Sequence, residues 1–268
     1  MKKQNLITID QISFMVPITS ESMDNITPPD EVQAIKHLFR FDEVFDEPQE
    51  LDYGFNGYTN ALRYGAANAK ILIMWSYKQA WLGVQVMFYG QGKKLYESLT
   101  RIKDIKVDWH NLISYICLKF NGHVSRIDIA VDLINYGFSV NNISKKLNSG
   151  EYKFINGVTK RSINLDKIQT IGDSGCIDTI YVNSRKSDSF LRVYNKRKEG
   201  LNKNSGYYYM AKACKDWIRI EAEFKHRVAH KIGQEVAELF DSRKIYPYLA
   251  DCITQHWILV LNDDQEKS

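Results

Sequence analysis

An α+β fold, a largely antiparallel twisted sheet flanked by helices with the active site on one sheet face, is the class this sequence predicts. Three observations lead there. Segments such as "RIDIAVD", "IRIEAEFK" and "LRVYNK" alternate apolar and polar residues, the pattern of half-buried strands. Segments such as "DEVQAIKHLF" and "KIGQEVAELF" carry apolar residues at helical spacing instead. The 268 residues are 44% hydrophobic and 12% aromatic, enough to bury a real core.

The elements follow in order. Pro29 and Asp30 introduce a short helix with Val32, Ile35, Leu38 and Phe39 on one face. "NALRYG", "KILIMWSY" and "LGVQVMFYG", punctuated by glycines, predict antiparallel strands. "GQG" at 90–92 predicts a turn leading into a helix near Lys93 to Thr100. "WHNLISYICLKF" predicts a helix, "HVSRIDIAVDLINY" a strand, and "SVNNISKKLNSGEY" a helix capped by Ser139 or Asn141. "CIDTIYVNSRKSDSFLRVYNK" predicts two strands around the turn "SRKSD", and "DWIRIEAEFKHRVA" another strand. The tail from Val228 to Leu261 looks helical. The expected division is a catalytic domain over 1–227 and a helical tail over 228–268 packed on it.

No apolar run approaches the roughly 18 residues that span a bilayer, and no secretory leader pattern opens the chain, so a cytoplasmic protein without a membrane partner is expected. Cys117, Cys176, Cys214 and Cys252 are scattered, form no zinc-binding spacing, and are expected to be buried free thiols. The net charge of +4 is unevenly spread. Residues 1–52 hold four Lys/Arg against eleven Asp/Glu, leaving +11 for the remainder. Residues 185–203 alone hold seven cations against two anions, a patch suited to a polyanion such as nucleic acid.

Alternation sorts the polar residues of three strands onto faces. In "RIDIAVD" these are Arg126, Asp128 and Asp132; in "IRIEAEFK", Arg219, Glu221, Glu223 and Lys225; in "LRVYNK", Arg192, Tyr194 and Lys196. A shared sheet face would set carboxylates beside cations with one phenol among them. Crowded carboxylates repel unless a cation neutralises them, and oxygen-only ligands favour Mg²⁺ or Mn²⁺. A tyrosine beside such a metal, Arg and Lys could attack phosphorus and become covalently linked to DNA. That is nicking and rejoining chemistry.

The stretch "IYVNSRKSDSFLRVYNKRKE", with "SRIDIAVD" and "WIRIEAEF", resembles the Rep_trans family, replication initiators of small rolling-circle plasmids of Gram-positive bacteria, which also includes phage-type replication factors and relaxases of some integrative elements. The resemblance runs from about Ile7 to Arg227. It implies that Tyr194 nicks one strand of origin DNA and stays linked to the 5′ phosphate; Arg192 and Lys196, which alternate with it, are the candidate catalytic cations. It implies that Asp128 and Glu221 hold the metal, with Asp132 or Glu223 as further members. Arg126, Arg185, Lys186, Arg197, Lys198 and Arg219 are the candidate DNA and phosphate contacts. A homodimer and the host's replicative helicase are the partners the resemblance implies. No His-hydrophobic-His triplet is present, and His226 and His230 leave a strand end rather than forming a metal motif. No helix-turn-helix segment precedes Ile7, which favours replication over conjugative transfer. The alternatives are a relaxase or phage-type initiator of the same family, and a non-catalytic DNA-binding protein.

Overall fold

The computed structural model describes residues 2–19, 27–173 and 175–262. Its elements run β1 (Gln4–Val16), α1 (Asp30–Leu38), α2 (Phe41–Val44), β2 (Gln49–Leu51), β3 (Asn60–Tyr64), β4 (Ile71–Trp75), β5 (Val84–Phe88), α3 (Gly90–Ile102), α4 (Trp109–Leu118), β6 (His123–Ile134), α5 (Val140–Asn148), β7 (Tyr152–Ile155), β8 (Ile168–Asp173), β9 (Cys176–Val182), β10 (Ser189–Asn195), α6 (Lys196–Gly200), α7 (Tyr208–Ala213), β11 (Trp217–Lys225), α8 (His226–Ala237), α9 (Ile245–His256) and β12 (Ile258–Leu261). Among the described residues ten strands form a large antiparallel sheet flanked by helices, and β7 pairs with β12 in a small second sheet. The predicted class is the observed one. Among the described residues no helix is long and apolar enough to cross a membrane.

The chain divides into two compact units, Asp10–Ile127 with Lys225–Ile245, and Asp128–Phe224 with the segments up to Ile9 and from Tyr246 on. This is not the division at 227 that the sequence suggests. In the first unit the strand order is β2-β3-β4-β5-β1. Ile12 pairs with Phe88 and Val16 with Val84, so the alternating apolar residues of β1 and β5 fall on one face. Phe39, Phe41, Phe88, Tyr96 and Trp109 build an aromatic core there, with Phe39 and Phe88 centroids 4.9 Å apart. Helix α1 forms where expected, and its buried stripe is Val32 and Ile35, followed by Phe39. Helix α3 starts at Gly90, three residues earlier than predicted. Gly92 permits this, because a Cβ there would lie 2.1 Å from the Lys70 carbonyl oxygen.

In the second unit the order is β6-β11-β10-β9-β8. The two strands around "SRKSD" are β9 and β10, and Ser139 caps α5 by accepting from the Asn142 N–H at 3.4 Å. The tail is helical only as far as His256. Ile258–Leu261, a short run of branched apolar residues, pairs in register with Tyr152–Ile155, a long-range pairing that local pattern does not reveal. The tail also splits, α8 belonging to the first unit and α9 with β12 to the second. Of the cysteines, Cys214 and Cys252 are buried, Cys117 is half-buried and Cys176 is exposed, so the expectation of four buried thiols holds for two.

Candidate active site

Strand β10 places the phenol. Its register sets Arg192 opposite Glu221 and Tyr194 opposite Arg219 on β11, with Phe190 opposite Glu223. Residues directly opposite in an antiparallel pair project to the same face. Arg192, Tyr194, Arg219, Glu221 and Glu223 therefore share one face of this unit's sheet. Asp132 on β6 bonds to Arg219 and so joins them, and Asp128, an even number of residues away along the strand, lies on the same face of β6. The other face is apolar. Leu133, Leu191, Val193, Ile218 and Ile220 turn toward a cavity of about 610 Å³ that Phe154 and Trp257 also line.

Two carboxylates on the polar face are committed to cations. Asp132 accepts from Arg219 Nε at 2.8 Å and Nη2 at 2.7 Å, and from Trp217 Nε1 at 2.7 Å. Both partners of this pair are about 3% exposed, so its three charge-assisted bonds offset the desolvation of two ions. Glu221 accepts from Arg192 Nη2 at 2.7 and 2.8 Å, one nitrogen bridging both oxygens. The Tyr194 hydroxyl donates a long bond to Glu221 Oε2 at 3.4 Å.

Tyr194 is 7% exposed. The Arg192 guanidinium carbon lies 4.4 Å and the Lys196 ammonium 5.7 Å from its ring centroid. Burial pushes the phenol well above the ordinary tyrosine range; Glu221 and Glu199 add to that, while Arg219 and Arg192 oppose it. Flanking cations by themselves favour the phenolate. In this arrangement they do not prevail, because burial, together with the charge of Glu221, outweighs the pull of Arg219 and Arg192. Lys196 is not a strand residue: it is the first residue of α6, capped by Asn195, yet buried with its ammonium on Glu199 and 4.9 Å from the Tyr207 ring.

The sequence profile described as Rep_trans, replication initiation factor, matches residues 122–268, more than half of the chain. The chain belongs to the Rep_trans family. A protein of Bacillus subtilis (strain 168) named "Putative DNA relaxase NicK" is 28% identical over 198 residues, covering 74% of this chain and 51% of that protein. The chain thus spans about half the length of that relative. The solved structure of a rolling circle replication initiator protein from Geobacillus stearothermophilus superposes with a TM-score of 0.65 over 95% of this chain and 86% of that one, at 18% identity, a likeness of fold.

In this Rep_trans chain the other predicted site residues are dispersed. Arg219, expected to touch phosphate, is sealed inside its pair with Asp132. Arg197 turns inward and donates through Nε to the Cys214 carbonyl at 2.9 Å. Lys198 pairs with Asp178. Arg185 and Lys186 are exposed in the β9–β10 turn, with the Arg185 guanidinium 5.2 Å from the Phe190 ring centroid. Arg126 lies in the other unit, half-buried, where its charge opposes the upward push of burial on the Tyr89 phenol. His230 stacks on His123 with centroids 4.7 Å apart.

The acids were expected to gather around a metal. Asp128 and Glu223 are buried and Glu221 nearly so, and their oxygen donors suit a hard divalent ion. Asp132 is withheld by Arg219 and Trp217. As the side chains stand, no three His, Cys, Asp or Glu among the described residues group closely enough to hold a metal ion. Sequence reasoning missed Trp217, Glu199 and Tyr207. Trp217 could have been found, since it sits two residues before Arg219 on the same alternating face; Tyr207 reaches the site from a turn with no periodic signal.

Proposed function

We propose that this Rep_trans chain cuts one strand of origin DNA and rejoins it, initiating rolling-circle replication. The Tyr194 hydroxyl gives its proton to Glu221 as its oxygen attacks phosphorus, the P–O bond to the 3′ oxygen breaks, and the 5′ phosphate stays on the tyrosine. The leaving 3′ hydroxyl takes up a proton. The reverse attack reseals the strand without ATP, because the phosphotyrosyl bond retains the energy of the phosphodiester. The observation that carries this reading is the setting of Tyr194, one phenol held between Arg192 and Lys196 with Glu221 at its hydroxyl.

Each residue has a part. Arg192 and Lys196 stand where charge builds on the phosphate oxygens. Glu221 accepts the hydrogen bond of the protonated phenol in the resting state and takes its proton in the reaction. The Asp132–Arg219–Trp217 set fixes β6 against β11 beneath the phenol. Mg²⁺ or Mn²⁺ is the proposed cofactor, with Asp128 and Glu221 as its holders and Glu223 as a third; bound there, it supplies charge neutralisation at the phosphate. A homodimer acting with the host's replicative helicase in the cytoplasm completes the reading. The test is incubation of a supercoiled plasmid, carrying the DNA that flanks the gene and its inverted repeats, with the protein and Mg²⁺ or Mn²⁺. Conversion to open circles supports nicking; tight binding without conversion supports a purely DNA-binding protein.

A further inference from the structure

Strand β9 carries a second tyrosine on the face of Tyr194. Arg192 stands opposite Tyr181 and Tyr194 opposite Thr179, so Tyr181 and Tyr194 are diagonal neighbours on one face, with Cα atoms roughly 7–8 Å apart. Arg192 lies within electrostatic reach of both phenols. Phe190, two residues before Arg192, shares that face, and its ring stacks on Tyr181 with centroids 5.5 Å apart at 26°. Ile180, Val182, Leu191 and Val193 alternate with these residues and are buried on the other, apolar face. Phe190 is buried and Tyr181 half-buried, so the tyrosine is the outer ring of a pair that sits among charges rather than in that core.

The turn between β9 and β10 lays a guanidinium against the pair. Asn183, at φ 70°, donates its N–H to the Lys167 carbonyl at 2.9 Å and its side-chain amide to the Ser189 carbonyl at 3.2 Å. The Ser184 carbonyl accepts the Ser187 N–H at 2.9 Å, and the Ser184 hydroxyl accepts the Lys186 N–H at 3.2 Å. From this tied turn Arg185 folds back over the rings, its guanidinium carbon 5.2 Å from the Phe190 centroid and 5.9 Å from that of Tyr181. At an exposed site such a contact contributes only about 0.5–1 kcal/mol. What it builds is a flat platform, an exposed guanidinium beside a phenol ring, two residues along the sheet from Tyr194.

We propose that Tyr181, Phe190 and Arg185 form a stacking subsite for one unpaired base of the DNA strand whose phosphate lies at Tyr194. This rests on the reading of Tyr194 as the nucleophile. Glu223 stands opposite Phe190, and Asp188 lies in the turn, so the platform suits a neutral base better than a second phosphate. Single-stranded DNA fits because aromatic rings and guanidinium planes take an unpaired base, whereas paired bases have their own faces covered. A base stacked here fixes the strand beside the phenol while Arg192 remains with the phosphate.

The test measures binding without cleavage, so loss of the subsite registers separately from loss of the Tyr194 adduct. The probes are a fluorescent oligothymidylate of roughly 16 nucleotides and an abasic chain of the same length. Tyr181→Ala is expected to weaken oligothymidylate binding about tenfold, Tyr181→Phe to keep it, and neither to change binding of the abasic chain. Arg185→Lys, which keeps the charge and loses the plane, is expected to weaken oligothymidylate binding about threefold and to leave the abasic chain unaffected. Should Tyr181→Ala lower the melting temperature, Tyr181→Leu replaces it, keeping apolar bulk without a π face. In an origin oligonucleotide, a single abasic site at a nucleotide flanking the cut is expected to weaken the wild type and not the tyrosine variant. Wild-type affinity for oligothymidylate in the folded Tyr181→Ala or Tyr181→Leu protein overturns the subsite. So does an equal loss on both probes, or a wild-type protein that binds the abasic chain as tightly as the oligothymidylate.

Discussion

The hydroxyl of Tyr194 and the carboxylate of Glu221 meet across two paired strands, 3.4 Å apart, while the same carboxylate grips Arg192 at 2.7 and 2.8 Å. Glu221 therefore contacts both the phenol and the cation that lies over its ring. In this resting arrangement the phenol is protonated, pushed up by burial and by that carboxylate. Whatever draws charge from Glu221 releases both partners, and this makes Glu221 the control point of the proposed reaction.

Asp128→Ala and Glu221→Ala are each expected to abolish metal-dependent nicking while duplex DNA binding is largely retained. Plasmid nicking against a gel-shift measurement at several Mg²⁺ concentrations checks this. Normal nicking by either variant removes that residue from the proposed metal site.

Replacing Arg192 by Ala is expected to slow cleavage more than it weakens binding, at a cost of about 3 kcal/mol in the transition state. Single-turnover cleavage and equilibrium binding on the same oligonucleotide separate the two. Equal losses in both would reduce Arg192 to an electrostatic grip.

Asp132→Ala or Arg219→Ala strands a buried charge and is expected to cost about 3–5 kcal/mol of stability. Joint replacement by apolar residues of similar volume, Asp132→Leu with Arg219→Met, is expected to recover much of that loss. Chemical denaturation midpoints decide, and a single variant as stable as the wild type would contradict the reading of this pair.

Burial, with the His230 ring stacked beside it, holds His123 below the ordinary imidazole value of 6.5. Between the lowered value and 6.5 the unfolded chain binds more protons than the folded one, so stability rises with pH through that window. Acidification through that window costs stability, and His123→Gln is expected to flatten this part of the profile. Melting temperatures taken across the window for both proteins check the sign; a wild type that gains stability on acidification there would reverse it.

Much of this was legible in the sequence because the site is built from strands. A period of two needs only local pattern, so Arg192 with Tyr194, and Arg219 with Glu221, could each be placed on one face of their own strand before any register was known, and the register then brought the two sets together. Pattern cannot choose partners, however. Nothing in "RIDIAVD" marks Asp132 as the carboxylate that Arg219 and Trp217 would capture, nor "NKRKE" as a helix start that buries Lys196 on Glu199. The strand β12 was hidden for the same reason, since four apolar residues after a helix become a strand only when Tyr152–Ile155 comes alongside.

The central claim is that Tyr194 becomes covalently joined to the 5′ end of the cut strand. The chain has sixteen tyrosines, and Tyr181, on the strand next to Tyr194, and Tyr207, packed on Trp217, are near enough to compete. Tyr207 also has two cations over its ring, Lys196 at 4.9 Å and Arg219 at 5.9 Å, whereas Tyr194 combines its flanking cations with the Glu221 carboxylate at its hydroxyl on the strand face that carries the acids. The direct measurement is to cleave an end-labelled single-stranded origin oligonucleotide, digest the product with protease, and map the nucleotide-bearing peptide by mass spectrometry. The account predicts the adduct on Tyr194, and a folded Tyr194→Phe protein that binds the oligonucleotide but neither cuts it nor forms an adduct. An adduct on another residue, or full cleavage by Tyr194→Phe through water, would contradict it.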